Sequence, residues 1–327
     1  MASIHSYPDS SCIFMGNPIV YAVVPGKVPG ENVSFHRVKM IVKFSTYEYE
    51  LSQPVDKDTE IVEFDISNCF MSQAELFEFQ PLTQSGVKRT FPVFTTTSIT
   101  IKDVWVENGL QQEGGQQSLT NHTAIMGAYS DYERLHTVLT PTYSRKPLSP
   151  ELALADDLVV FPSGEGLTPS STAVNISFIA DSEINLNGRS YYIVSNPVRS
   201  AQFQFVNSRG CLETIRAWNV EQEKMKSEKK TTVISKFERF NDFSRTHIAK
   251  HVQPAEFSCS SGFVDYEWAR WWAYEFGASR QHWWLVDGSW IPCKVTVDDS
   301  LSVIDRSKVQ MCSVQFTVSP DINGALW

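Results

Sequence analysis

The side chains that could bind a metal ion or carry out acid–base catalysis are scattered along this chain. His247 and His251 are four residues apart, a spacing that would place both imidazoles on one face of a helix. A zinc protease has a glutamate directly after the first of two such histidines as its general base, but the sequence here is HIAKH. A third ligand is not evident, so we expect no metal site.

Two pairs of adjacent carboxylates, Asp156-Asp157 and Asp298-Asp299, could in principle act as acid and base. Neighbouring side chains on a strand point to opposite faces, so neither pair can flank one bond as the two acids of a glycosidase do. We interpret both pairs as turn residues.

Sequence motifs for a nucleophile or a bound nucleotide are missing. The serines at 260–261 lie outside a GxSxG elbow, and neither GxGxxG nor GxxxxGK[ST] occurs. We therefore predict no catalytic residue and no cofactor. A hydrolase would need a site assembled from distant segments, which a pocket with perturbed carboxylates would indicate.

Tryptophans concentrated near the C-terminus allow two interpretations. Exposed rings could form a platform that stacks on sugars, whereas rings on a helix and a strand that face one core would fill that core. The residues concerned are Trp268, Trp271, Trp272, Trp283, Trp284 and Trp290.

Composition indicates an ordinary folded protein. The 327 residues are 42% hydrophobic and 20% charged, and a chain of this length predicts two domains. The net charge of −9 argues against binding to nucleic acid. No apolar run is long enough to span a membrane, and residues 1–14 do not resemble a signal peptide, so we expect synthesis in a cytoplasm.

Charge and cysteine placement add two expectations. Residues 209–250 carry 10 Lys and Arg against 6 Asp and Glu, between two acidic blocks. This basic segment suits contact with a complementary neighbour, or it is a solvated hairpin tip. The six cysteines are widely spaced, which excludes a CxxC zinc site and favours buried free thiols, with no partner assigned to any of them.

The alternation of apolar and polar residues predicts a mainly β fold, with two β-sandwich or barrel-like domains and a few short helices, the latter giving the C-terminal domain α+β character. Val38, Met40, Val42 and Phe44 share one face of a strand. We place the N-terminal domain at 1–165 and the C-terminal domain at 172–327, joined by a Gly/Ser/Pro-rich hinge at 163–171. Asn187-Gly188 predicts a tight hairpin.

Helices and projecting segments complete the predicted architecture. Asp265 is the predicted N-cap of an aromatic helix over 265–279, and Ser149-Pro150 predicts the start of a short helix. Segment 107–122 is a long polar loop or hairpin tip. Residues 221–232 are the charged part of a two-stranded arm, in which strand 211–220 is predicted to pair with the returning strand 233–243. Whether this arm is a hairpin or helical stays open.

Several segments resemble the tail and baseplate structural proteins of phages and prophages of Bacteroidetes-type bacteria, with a distal-tail-like pattern. The resemblance covers most of the chain and is carried by turns and aromatic residues: FMGNPIVYAV, FDISNCF, the stretch from Ala128 to Phe161, AQFQFVNSRGCLETIRAW, and the closing segment that begins HWWLVDGSWIPCKV. Cys293 departs from the pattern, which more often has an aliphatic residue there. The resemblance implies a virion protein of the phage tail and no catalytic residues.

These observations predict a non-enzymatic component of a tail-tip or baseplate ring. It would bind copies of itself and other tail or baseplate proteins, without a membrane or sequence-specific nucleic acid. The predicted assembly residues are Lys224, Lys226, Lys229, Lys230, Gln111, Gln112, Gln116 and Gln117. The alternative is a carbohydrate-binding β-sandwich module that uses exposed tryptophans.

Overall fold

A computed structural model describes residues 1–8, 13–27, 33–128, 142–176, 182–186, 188–194, 199–225, 228–235, 244–252, 255–297 and 313–320; for the strand residues between 222 and 255 it describes mainly the backbone. The first half of these residues forms β1 (Ser3–Ser6), β2 (Val20–Val24), β3 (Val33–Lys43), β4 (Glu48–Pro54), β5 (Val62–Asp65), α1 (Ser67–Ala74), β6 (Lys88–Thr90), β7 (Val93–Thr95), β8 (Ser98–Glu107), β9 (Leu110–Glu113), β10 (Gln117–Leu119), β11 (Thr123–Ile125), β12 (Glu151–Leu154) and β13 (Leu158–Pro162). The second half forms β14 (Ser170–Asn175), β15 (Glu183–Leu186), β16 (Arg189–Val194), β17 (Ala201–Val206), β18 (Leu212–Met225), β19 (Glu228–Ser235), β20 (Ser244–Val252), β21 (Ala255–Ser260), α2 (Tyr266–Trp271), a π-helical turn (Trp272–Phe276), β22 (His282–Val286), β23 (Ser289–Val297) and β24 (Gln315–Pro320). The prediction of a mainly β protein with few short helices is confirmed.

An open five-stranded sheet organises the N-terminal part, in the order β10-β8-β3-β4 with β9 also paired to β8. Val38, Met40 and Val42 point from β3 into a core of aliphatic and aromatic residues and are fully buried, as the alternation predicted. α1 closes this core with Cys69 and Phe70. Strand β5 ends at Asp65, whose carboxylate accepts hydrogen bonds from the amides of Ile19 and Ser67, both at 2.9 Å.

A closed six-stranded barrel organises the C-terminal part, in the order β17-β18-β21-β24-β23-β22. α2 and the π-helical turn pack into it. Asp265 caps α2 as predicted, since its carboxylate accepts from the Trp268 amide at 2.9 Å. The barrel interior is aromatic, and Phe203, Phe205 and Phe276 are fully buried.

Two further three-stranded sheets, β13-β14-β6 and β12-β16-β15, consist of β6 and of strands between residues 151 and 194. The predicted hinge at 163–171 is instead the connection of the β13–β14 hairpin, whose ends are tied by Ser163 N to Ser170 O at 2.8 Å. β6, from the predicted N-terminal domain, pairs with β14, from the predicted C-terminal domain. One core also contains residues from both sides of that boundary, including Phe91, Ile125 and Trp283.

Side chains fasten the barrel to its surroundings by hydrogen bonds to backbone. The Gln204 side chain accepts from Leu82 N at 2.6 Å and donates to Leu82 O at 3.2 Å. It thus forms the pair of hydrogen bonds that the backbone of a neighbouring strand would form. Ser171 Oγ accepts from Leu212 N and donates to Leu212 O, both at 2.9 Å. These bonds satisfy buried polar groups that would otherwise be costly to desolvate.

The predicted helix after Ser149 is a strand. Residues 151–154 form β12, which pairs in parallel with β16 through Glu151↔Tyr191 to Leu154↔Val194. The predicted hairpin is confirmed, because Leu186 pairs with Arg189 and Gly188 has a φ of +78°, although Asn187 itself lies outside the described residues.

Candidate functional site

The predicted arm projects from the barrel on strand β18. Residues 212–217 of this strand pair with the barrel strand β17. The residues that follow, Trp218 to Met225, have β21 as their strand partner. Two bulges interrupt the β18–β21 ladder, between Trp218 and Glu221 and between Gln222 and Lys224. Bulges increase local twist, so they set the direction in which the arm leaves the barrel.

The strand pairing of the arm differs from the prediction. Glu221 to Met225 pair with β21, and the following strand β19 pairs with β20 through Glu228↔Val252 to Ser235↔Ser244. The arm is therefore built from strands, which settles the choice left open between hairpin and helix. His247 and His251 lie on β20, so the helical spacing considered for HIAKH is wrong.

The eight predicted assembly residues fall into two separate groups. Lys224 lies on β18, Lys229 and Lys230 lie on β19, and Lys226 lies outside the described residues. The glutamines belong to the five-stranded sheet: Gln111 and Gln112 are exposed on β9, Gln116 is exposed beside β10, and Gln117 is half-buried on β10. The predicted polar loop is thus mostly a hairpin folded back on β8, and no described strand pairing joins the two groups.

The tryptophan cluster is core. Trp268, Trp271, Trp272 and Trp283 are 2–6% exposed, and Trp284 and Trp290 are half-buried against the barrel core and the shared core respectively. Trp284 stacks on Phe203 with ring centroids 6.0 Å apart. Among the described residues no tryptophan is exposed enough to offer a sugar a flat face, which removes the observation that the carbohydrate alternative needs.

A buried ionic cluster beneath the barrel is a feature that sequence reasoning missed. Lys146 Nζ lies 2.5 Å from Glu151 Oε2, donates to Thr214 O at 2.7 Å, and sits 5.4 Å from the centre of the Trp271 ring. Burial raises the pKa of Glu151, and Lys146 opposes that shift. Lys146 and Glu151 are close in sequence, but Thr214 and Trp271 come from distant strands and helices, so no local spacing indicated the cluster.

Asp157 is also more than the turn residue expected. Asp156 does occupy a turn, with a φ of +68°. Asp157 is buried, and its carboxylate accepts from Arg216 Nε at 2.8 Å, from Arg216 Nη2, and from Leu154 N at 2.9 Å. This bidentate pair fastens β13 to the barrel strand β18.

A cleft of about 460 Å³ opens between the N-terminal core and the barrel. Its wall is mostly apolar and includes Met15, Met71, Phe77, Phe79, Met126 and Tyr274. This volume and lining are typical of a pocket that accepts an apolar group. Three of these residues are methionine, whose flexible thioether adapts to the shape of a bound group.

Glu275 is the carboxylate at this cleft that could have acted as an acid. Burial raises its pKa, and hydrogen bonding by Ser208 and the charge of Arg145 oppose the shift. Its Oε1 accepts from Ser208 N at 2.7 Å, and its Oε2 lies 3.4 Å from Arg145 Nη1. Both oxygens are therefore engaged by the protein, and the side chain is only 4% exposed, so Glu275 joins structural segments here.

Metal-binding geometry is not found in the described part of the chain, where no three His, Cys, Asp or Glu side chains converge. The described helices are all too short or too polar to cross a membrane. Burial raises the pKa of the Cys69 thiol to about 11 and of the Cys259 thiol to about 12, so the two resemble the buried free thiols that were expected. Cys12 and Cys312 lie outside the described residues.

Comparison of the chain with protein-family models, with curated proteins and with solved structures gives no match in any of the three. The similarity to phage tail and baseplate proteins therefore stays a prediction from the sequence.

Proposed function

We propose that this protein is a non-enzymatic structural component that assembles with copies of itself, as a tail-tip or baseplate ring of a phage-like particle does. Other tail or baseplate proteins would dock on that ring. The observation that supports assembly best is the arm, because it carries strands whose edges have no partner in the described part of the chain.

β19 and β20 pair only with each other among the described strands. At about 3.3 Å per residue, the eight residues of β19 extend roughly 25 Å. An isolated two-stranded ribbon of this kind is at best marginally stable in water, and its open edges are templates for pairing with another chain. Contact with a neighbouring copy would stabilise the ribbon and cover its edges.

The charge of the arm suits such a contact. Lys224, Lys229 and Lys230 belong to a segment with excess positive charge, whereas the chain as a whole has a net charge of −9. Attraction between a basic arm and an acidic neighbour would speed encounter and set register. Repeated head-to-tail contacts of this kind close into a ring when the rotation between copies permits.

The first test is the mass of the purified protein across concentration and salt, with negative-stain imaging of any large species. We expect closed rings that dissociate as ionic strength rises, since salt screens exposed charges. A chain that stays monomeric at every concentration and salt would overturn the proposal.

The register of the arm supplies a sharp variant. Met225 lies opposite Ala255 in the β18–β21 ladder, so replacing residues 226–254 by Asn-Gly should close the two strands with a tight turn. We expect this variant to keep the near-ultraviolet circular dichroism of the aromatic barrel and to lose assembly. Assembly that persists without residues 226–254 would exclude the arm as the contact.

A further inference from the structure

An exposed phenylalanine stands at one end of the five-stranded sheet. Phe35 is 82% exposed and has a φ of +53° at the bulge between Ser34 and Arg37, where β3 faces β8. A bulky residue with positive φ is rare and strained, and bulges redirect side chains. Strain of this kind persists where the surrounding structure holds it in place.

The surroundings of Phe35 do hold it. The next residue, His36, has its Nε2 at 3.1 Å from Asp103 Oδ1, and its carbonyl accepts from Val55 N at 2.9 Å. Asp103 is 2% exposed and also accepts from Gly26 N at 3.0 Å. The ring therefore projects from a fixed backbone, and Leu110, 67% exposed at the same end of the sheet, extends the apolar tip.

The cleft lies at the opposite end of the same sheet. Phe44, just beyond the other end of β3, packs edge-on against Phe70 of α1 with ring centroids 5.0 Å apart. The next residue of α1, Met71, lines the cleft. Nine residues of strand separate Phe35 from Phe44, which is roughly 30 Å. One copy thus carries an apolar projection and an apolar recess that cannot meet each other.

We propose that Phe35 of one copy inserts into the Met/Phe-lined cleft of the next, and that this contact is the repeating head-to-tail interface of the assembly. The inference rests on the proposed function, for which it names a second contact besides the arm. A projection and a recess at opposite ends form a heterologous interface, which generates a closed ring when the rotation between copies permits and an open filament when it does not.

Chemistry at the two ends is complementary. An aromatic ring against Met15, Met71 and Met126 gains favourable sulfur–aromatic contacts in addition to apolar burial. Charged residues of both signs lie beside the contact. Arg37 and Glu107 flank Phe35, and Glu75 and Arg280 line the cleft. Such rim charges would orient the copies.

Two substitutions test the contact by sedimentation equilibrium. Phe35→Ala removes the projection, and Ala278→Trp fills the cleft from an exposed position. We expect each to weaken self-association at least about 30-fold, the effect of losing a central aromatic anchor. Phe263→Ala, which removes an equally exposed ring (80%) elsewhere, and Ala278→Ser serve as matched controls and should leave association unchanged.

Mixing the two variants gives a stricter readout. The Phe35→Ala chain keeps an open cleft, and the Ala278→Trp chain keeps its projection, so together they can form one contact but cannot extend it. At a concentration where neither variant associates alone, we expect one-to-one pairs in the mixture. Failure to form these pairs would count against the inference, provided that circular dichroism shows both variants folded.

A photocrosslinking experiment tests directly which residues of a neighbouring copy Phe35 contacts. It does not depend on the folding of the Phe35→Ala or Ala278→Trp variant. With Phe35 replaced by p-benzoylphenylalanine and a mixture of ¹⁵N-labelled and unlabelled chains, we expect crosslinks between copies to peptides 71–79 or 274–281. Assemblies that crosslink elsewhere would overturn this inference and leave the proposed function standing. A wild-type chain that never assembles would overturn the proposed function itself.

Discussion

The closed barrel and the open five-stranded sheet differ in how completely their strands are paired. The barrel packs rings such as Phe203, Phe276 and Phe316 inside, all at 1% exposure or less, and every strand is paired on both sides. The open sheet covers a core of aliphatic and aromatic residues, with Val38, Met40 and Phe70 fully buried, but it leaves the outer edge of β4 without a partner among the described strands and the Phe35 ring exposed. The buried rings stabilise the barrel, whereas for the exposed Phe35 ring we propose a contact between copies.

The largest expected effect comes from replacing the same residue type in both regions. Phe276 packs edge-on against Trp272, Phe205 and Phe316, with centroids 4.9–5.3 Å away. We expect Phe276→Ala to lower the free energy of unfolding by about 3–5 kcal/mol, because it leaves a cavity in the barrel. Phe35→Ala should change it by less than about 0.5 kcal/mol. Urea unfolding measures both, and equal losses would erase the contrast.

The second largest loss of stability is expected from breaking the ion pair that joins β13 to the barrel. Asp157→Ala would leave Arg216 without its bidentate partner and Leu154 N without its acceptor. We expect a loss of about 3 kcal/mol, because breaking one side of a buried pair strands the other charge. Thermal unfolding should show this loss, and a loss below about 1 kcal/mol would mean that the pair behaves as a surface contact.

The free energy of unfolding should depend on pH through His282 of the barrel. Burial lowers the pKa of His282 to about 4, and the hydrogen bond to the Phe276 carbonyl, at 2.7 Å, opposes this shift. A carbonyl only accepts, so Nε2 carries the proton in the neutral ring. With an unfolded pKa near 6.5, the unfolded state binds the proton first, and stability falls as pH drops below about 6.5.

At pH 5 this group alone should cost about 2 kcal/mol of stability relative to pH 8. His282→Gln keeps a donor for the carbonyl and should remove this part of the pH dependence. The measurement is urea unfolding of both proteins at pH 8 and pH 5. A variant whose loss on acidification equals that of the wild type would assign the dependence to other groups.

The smallest effect concerns the surface of the open sheet. Lys43 and Glu48 approach within 2.8 Å, but both side chains are about half exposed. We expect Glu48→Gln to cost less than about 1 kcal/mol, since solvent and salt screen such pairs. Thermal unfolding at low and high salt checks this, and a large salt-independent loss would contradict it. The contrast with Asp157 is one of burial, because both are carboxylate–cation pairs.

What could be predicted from the sequence was local. The alternation through Val38 and Val42, the Asp265 cap and the Asn187-Gly188 turn each depend on neighbouring residues, and each is found in the structure. Segment 151–154 was misjudged because its strand partner lies forty residues later, and tertiary pairing outweighed a good N-cap signal.

The candidate sites were harder to predict than the strands, because they join residues that are far apart in sequence. Helix α1 has only eight residues, too few to show a helical period, although it supplies the wall of the cleft. The cleft joins segments near residues 15, 71, 126, 208 and 278, and the pair Lys146–Glu151 acquires its meaning only from Thr214 and Trp271. Patterns along the chain indicate neither, because such sites arise from packing.

The continuity of β18 gives the molecule a mechanical property. One strand of fourteen residues belongs first to the barrel and then to the arm. A pull along the arm would therefore load the β17–β18 ladder in shear, where six residue pairs must slip together. The β19–β20 ribbon, pulled apart at one end, would instead peel one pair at a time. Tension applied through the arm would thus open the β19–β20 ribbon before it disturbed the barrel.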